Sequence, residues 1–258
     1  MKNIFCVFLG DSHVVSNAGL CRPGFMLGGE EKRKQRKYPA TIDQEKLYKS
    51  FVSIREQIKV AAKGYRLFVM LGGDIVDGVN HHGTTETQGT QADQRAMAIE
   101  LLTPWAAMAD SVYGVTGTES HVGNEGHEDR SVYDELCGRN YAGKYNMVLD
   151  GKRLWWAHHG VKIGSREWTL NGPMFALAND VYYRCLAKGI PKPDLVMGHD
   201  RHISPSPITS HGITVAVCPC LQMSTYYGDT VSPFTDTDLG VMTWIPSLER
   251  LTYVPAKI

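Results

Sequence analysis

Short apolar runs recur along this chain, and most end at a glycine followed by polar residues. Ile4 to Leu9 and Leu67 to Leu71 are apolar without alternation, the pattern of strands buried on both faces. Ser111 to Thr116 and Asp194 to Met197 predict two further strands of this kind. Between the first two strands, Thr41-Ile-Asp-Gln44 has the form of a capping box. Leu47, Phe51, Ile54, Ile58 and Ala61 then recur at helical spacing, and Gly64 closes the helix. A second helix is predicted over Gln91 to Ala109, disturbed near Pro104, and a short third one near Ser131 to Cys137. Asp150-Gly151 between Lys144 to Leu149 and Lys152 to Ala157 is a hairpin signal. Asn171-Gly172-Pro173 opens a helix that closes at Gly189. Two hairpins end the chain, Ile208 to Ser210 with Ile213 to Val217, and Gly240 to Ile245 with Arg250 to Val254. Val14 to Pro39 has no clear period and is expected to be a long surface loop. Strand and helix alternate early and antiparallel β comes late. The predicted fold is therefore α/β (α+β), a sandwich of two mixed β-sheets flanked by helices, in one domain over residues 1–258.

Composition narrows the function classes. Lys plus Arg and Asp plus Glu both number 27, so no global field favours polyanions, which weakens a reading as a non-specific nucleic-acid binder. The basic concentration is Glu30 to Lys37, expected as a solvated loop. The six cysteines form no CxxC pair and read as reduced, mostly buried thiols of a cytoplasmic protein. The N-terminal apolar run is too short for a secretory signal, and no run is long enough to span a membrane, so no membrane partner is expected.

The chemistry lies where the apolar runs end: at Asp11 and His13, at Asp74, at His121, at His158 and His159, and at His199 and His202. An unpaired carboxylate such as Asp74, buried at a strand end, costs several kcal/mol unless a cation or donor meets it. Ligands of α/β sheets gather beyond the carboxyl ends of the strands, so these side chains are expected to converge. Carboxylates and imidazoles without thiolate suit Mn²⁺, Fe²⁺, Zn²⁺ or Ni²⁺ rather than Ca²⁺ or Cu⁺. Asp74 is the natural bridge between two such cations.

Asp11-Ser12-His13, Gly73-Asp74-Ile75-Val76-Asp77 and the strand-end His158-His159-Gly160 resemble signature motifs of the calcineurin-like metallophosphoesterases. The resemblance covers about residue 3 to residue 220, and GLC, GDIVDGxxHH and GTESHVG are similar to a subgroup common in phage and prophage genomes. It implies the metallophosphoesterase-like form of the sandwich and two divalent cations. Asp11, His13, Asp74 and His202 would hold the first. Asp74, His158 or His159, and His199 would hold the second, with an oxygen from the 118–121 loop. It further implies a phosphoesterase acting through a hydroxide activated between the metals, with His121 as the acid at the leaving group and Asp77 as a second catalytic candidate. His81, His82 and Glu119 are candidate substrate contacts.

Two departures from the family pattern bear on this. The family's Asn ligand aligns with Thr118, so either Thr118 or Glu119 supplies the oxygen, or His121 itself binds metal; a rival alignment uses Gly123-Asn124-Glu125-Gly126-His127-Glu128. The last motif, Gly198-His199-Asp200-Arg201-His202, is one residue longer than the family's, and Asp200 is a possible substitute ligand. The expected substrate is a small phosphoester, mono- or diester, or a nucleotide, with Mn²⁺ among the candidate metals. The alternatives are a nuclease of DNA-repair type, supported by the basic residues 32–37, and a non-catalytic binding module whose second metal site has decayed.

Overall fold

The computed structural model of the chain describes residues 2–28, 35–78, 89–122, 127–225 and 236–258. The first half contains β1 (Ile4–Leu9), β2 (Met26–Leu27), β3 (Arg36–Lys37), α1 (Ile42–Ala61), β4 (Arg66–Leu71), α2 (Gln91–Met108) and β5 (Ser111–Val115). The middle contains α3 (Glu119–Val122), α4 (His127–Leu136), β6 (Tyr141–Ala142), β7 (Lys144–Leu149), β8 (Lys152–Ala157) and α5 (Gly172–Lys188). The chain ends in β9 (Leu195–Gly198), β10 (Ile208–Ser210), β11 (Ile213–Val217), β12 (Gly240–Ile245) and β13 (Arg250–Pro255).

β2 and β3 pair only with each other, and the remaining strands form two mixed sheets, as the pattern predicts. One has the order β13-β12-β1-β4-β5-β6 and the other β10-β11-β9-β8-β7. In the first, β1, β4, β5 and β6 are parallel and β12 and β13 are antiparallel additions. In the second, β8, β9 and β11 are parallel, with β7 and β10 antiparallel at the edges.

The unalternating apolar runs are explained by the layers. Every residue of β1 is buried. Cys6, Phe8, Phe68 and Met70 face the second sheet, meeting Leu154, Trp156 and Met197 there. Phe5, Val7, Leu67, Val69 and Leu71 face the other way, onto α1 and α2 through Leu47, Phe51, Ile54, Leu101 and Trp105. On the outer face of the second sheet, Met174, Ala178 and Val181 of α5 pack on Val196, Val215 and Val217. Strand period two thus feeds two cores at once.

Four expectations about elements need correction. Val14, Val15, Leu20, Cys21 and Leu27 are buried, so residues 14 to 27 of the expected loop pack into the core; polar anchors rather than periodicity hold them. Gln44, itself buried, donates to the carbonyls of Ser16 and Gly19, and the Tyr38 hydroxyl donates to Ser16. Pro104 lies inside a continuous α2, where Trp105, fully buried, fixes that turn against α1 and the sheet. Ala62 rather than Ala61 completes the buried face of α1. The short helix expected near Ser131 to Cys137 begins a turn earlier, as α4 at His127, and α3 precedes it.

Candidate metal centre

Parallel pairing continues past the ends of β1 and β4. Asp11 N–H donates to the Gly73 carbonyl at 3.0 Å, His13 N–H to that of Asp74 at 3.0 Å, and Val14 N–H to that of Ile75 at 2.9 Å. The two loops therefore present Asp11, His13, Asp74 and Asp77 side by side. Asp11, His13, Asp74, Asp200 and His202 all have positive φ, between 40° and 76°. For residues with a Cβ this conformation costs roughly 1–2 kcal/mol each, and it persists only where the surroundings fix it. Gly10 and Gly72 leave the room that the His199 ring fills; a Cβ at either would run into it.

The side chains of five strand ends meet here. Asp11 and Asp74 follow β1 and β4, Thr118 follows β5, His158 follows β8, and His199 follows β9; the last two are tied by His199 N–H donating to the His158 carbonyl at 2.9 Å. Ligand atoms of Asp11, His13 and His202 lie within 4.8 Å of one another. The same limit holds for Asp11, Asp74 and His158, for His13, Asp74 and His121, and for His158, His159 and Asp200.

Each imidazole is oriented by its other nitrogen. His13 turns Nδ1 to the Asp77 carboxylate at 3.2 Å. His158 turns Nδ1 to the Gly72 carbonyl at 2.7 Å and holds Nε2 at 3.1 Å from Asp74 Oδ2. His121 turns Nδ1 to the Asp77 carbonyl at 3.1 Å. His199 differs: its Nε2 receives the indole N–H of Trp156 at 3.1 Å, and its Nδ1 lies 3.4 Å from Asp11 Oδ2. His202 Nε2 is 3.7 Å from Asp11 Oδ1.

Asp74 is held by Thr118, whose backbone N–H donates to Oδ1 at 2.6 Å and whose hydroxyl donates to Oδ2 at 3.0 Å. Burial alone would raise the Asp74 carboxyl, but the neighbouring His158 holds it well below the usual carboxylate range. Burial likewise opposes charge on His158, and the Asp74 carboxylate overcomes this, raising it to about 10. Asp11 is also held low, against burial, by His199 and His202. His13 and His199 are lowered, by burial first.

The residues fit divalent cations on one test in particular. Among the described residues, Asp11 Oδ2, His13 Nε2 and His199 Nδ1 are buried with no hydrogen-bond partner. Buried polar atoms of native proteins are nearly always paired, and a cation satisfies a carboxylate oxygen and imidazole nitrogens together.

Of the other expected site residues, Asp77 is buried behind His13, and His159 is half-exposed with Nδ1 3.5 Å from Asp200 Oδ2. Glu119 is exposed and joins none of the ligand groupings among the described residues. His81, His82, residues 123–126 of the rival alignment and residues 30–34 of the basic stretch lie outside the described residues; Arg36 and Lys37 form β3 and are exposed. Two residues escape the sequence reading. Asp129, on the first turn of α4, is fully buried and accepts N–H bonds from Asp74, Ile75 and Gly117 at 3.0–3.1 Å. Burial, then the nearby Asp74, pushes its carboxyl up to about 7. Trp156 is the other, and its apolar strand setting hides its polar contact.

No family model matches the sequence, and no curated protein matches it. Among solved structures, the fold is similar to that of a Thermus thermophilus protein at 11% identity, 100% of both chains and a TM-score of 0.48. It is similar also to an archaeal phosphodiesterase, at 7% identity over 97% of this chain and 99% of that one, TM-score 0.46. A dimetal phosphatase from Danio rerio gives 8% identity over 100% of both chains, TM-score 0.43. Likenesses this distant leave the chemistry to be argued from the side chains themselves.

Proposed function

We propose that the chain is a metal-dependent phosphoesterase of the calcineurin-like kind, hydrolysing a small phosphoester or nucleotide at a dinuclear site. The observation that supports this most directly is the overlap of ligand groups, Asp11 with His13 and His202 and Asp11 with Asp74 and His158, each within 4.8 Å, with His13 Nε2 buried and unpartnered among them. Asp11, His13, His202 and Asp74 would hold one cation. Asp74, His158, His199 and the Thr118 oxygen, with His159 at the margin, would hold the other. Divalent cations there would supply Lewis-acid polarisation of phosphoryl oxygens and a lowered pKa for water.

The chain's own residues do the rest. Asp77 fixes the His13 ring so that Nε2 faces the site, and Gly72 does the same for His158. Thr118 stands where the family has an amide ligand and clamps both oxygens of Asp74. His121 gives Nδ1–H to the Asp77 carbonyl, so its protonated form carries the transferable proton on Nε2. That geometry suits protonation of a departing alkoxide, a contribution of about 10²–10⁴-fold. The balanced net charge favours a small substrate over a polyanion.

The test is Asp74→Asn with bis-p-nitrophenyl phosphate and p-nitrophenyl phosphate in Mn²⁺. Hydrolysis by the unaltered chain should fall about 10³-fold, matching the loss of several kcal/mol of charge stabilisation. A variant with full activity contradicts the assignment. An unaltered chain that binds at most one cation and turns over neither ester supports the non-catalytic binding module instead.

A further inference from the structure

We propose that Trp156 holds His199 in the tautomer with its proton on Nδ1, which must be given up before that nitrogen can ligate and makes the second cation position the weak and exchangeable one of the pair. This rests on the dinuclear reading above. A ligating imidazole offers a lone pair to the metal and donates its other N–H to an acceptor. His13 and His158 meet the second half of that rule, with Nδ1 against the Asp77 carboxylate and the Gly72 carbonyl. His199 meets the opposite condition. The group facing its Nε2 is an indole N–H, which only donates. Nε2 must then keep its lone pair, and the proton of neutral His199 sits on Nδ1, the nitrogen 3.4 Å from Asp11 Oδ2.

Neither partner is free to turn away. Trp156 is buried, stacked on Tyr145 at 5.6 Å and 16°, and set edge-on to Phe8 at 5.9 Å and 75°. The His199 ring fills the space above Gly10 and Gly72 and lies parallel to the His158 ring at 7°. For Nδ1 to bind a cation, its proton must move to Nε2, where two N–H groups would oppose each other in a buried site. That opposition weakens the second position. The first position includes neither His199 nor any ligand facing Trp156, and meets this pair only through Asp11. Thr118 adds to the asymmetry, because its hydroxyl already donates to Asp74 Oδ2.

Two measurements test this. In the metal-free chain, nitrogen–proton correlation spectra of the imidazoles, with the His199 signals assigned by His199→Gln, should show the proton on Nδ1. A proton on Nε2 overturns the proposal. In calorimetric titrations with Mn²⁺, the unaltered chain should show one tight and one weak event. Trp156→Phe, which keeps an aromatic ring and removes the N–H, should tighten the weak event by about 10–100-fold, the usual range for outer partners of metal ligands. Two events of equal affinity in the unaltered chain, or an unchanged weak event in a folded Trp156→Phe, overturn it. If neither protein binds Mn²⁺, the dinuclear reading fails, and the tautomer spectrum still decides the Trp156 bond.

Discussion

Asp129 turns its carboxylate to the backbone rather than to the ligand cluster. It takes the N–H groups of Asp74, Ile75 and Gly117, and so fixes the two loops that carry the Asp74 carboxylate and Thr118. Removing an acceptor that serves two buried donors and one part-buried one leaves each of them unmet, at roughly 1–3 kcal/mol apiece before any relaxation. Asp129→Ala is therefore expected to lower the stability of the metal-free chain by at least about 3 kcal/mol in urea unfolding, and Asp129→Asn, which keeps one acceptor oxygen, by less. Equal stability of the Ala variant and the unaltered chain would show that water replaces the carboxylate. Most ligand candidates were legible at this scale because Asp11, Asp74, His158 and His199 each stand just past an apolar run, a signal local in sequence. Asp129 was not legible. It sits in the polar run His127 to Arg130, and reaches the loops because Val132 and Tyr133 dock α4 on the core, with the Tyr133 hydroxyl bonded to the Val115 carbonyl at 2.9 Å. Trp156 was hidden in the same way, since only the folded packing shows what its indole N–H meets.

At the scale of elements, α1 carries two duties in one side chain. Gln44 accepts from Thr41 N–H to close the capping box, and its amide donates to the Ser16 and Gly19 carbonyls in the segment following His13. Thr41→Ala removes only the cap and should cost about 1 kcal/mol. Gln44→Ala also leaves a buried carbonyl unmet at Gly19 and should cost about 2–4 kcal/mol in the same unfolding measurement. If the two variants are equally destabilised, the segment is held by other contacts. This double role explains why the capping box was readable and the burial of residues 14 to 27 was not: capping leaves a fixed spacing, whereas long-range amide-to-carbonyl bonds leave none. The strands and both longer hairpins were readable because their apolar runs and the Asp150-Gly151 turn, with φ of 48° and 79°, are set locally. The continuity of α2 through Pro104 depends on the burial of Trp105, again a long-range matter.

At the scale of the molecule, the candidate site is a seam. Asp11, His13, Asp74 and Thr118 belong to the first sheet's strand ends, and His158, His199 and His202 to the second's. The hydrophobic layer between the sheets sets their spacing, while the orphaned atoms of Asp11, His13 and His199 stand where the sheets open. Cations bound there would link the sheets as well as supply chemistry, and would stabilise the fold with the logarithm of their free concentration over Kd. The architecture was legible from strand order and periodicity. The contact between Trp156 of one strand and His199 after the next was not, because it is long-range in sequence. The measurement closest to the central claim is the metal content of the chain by plasma mass spectrometry at equilibrium with excess Mn²⁺ across a dialysis membrane, with the cation free in the dialysate subtracted. The account predicts more than one cation per chain, falling to at most one in Asp74→Asn. A chain that retains none, or an Asp74→Asn variant that retains the full complement, would contradict it.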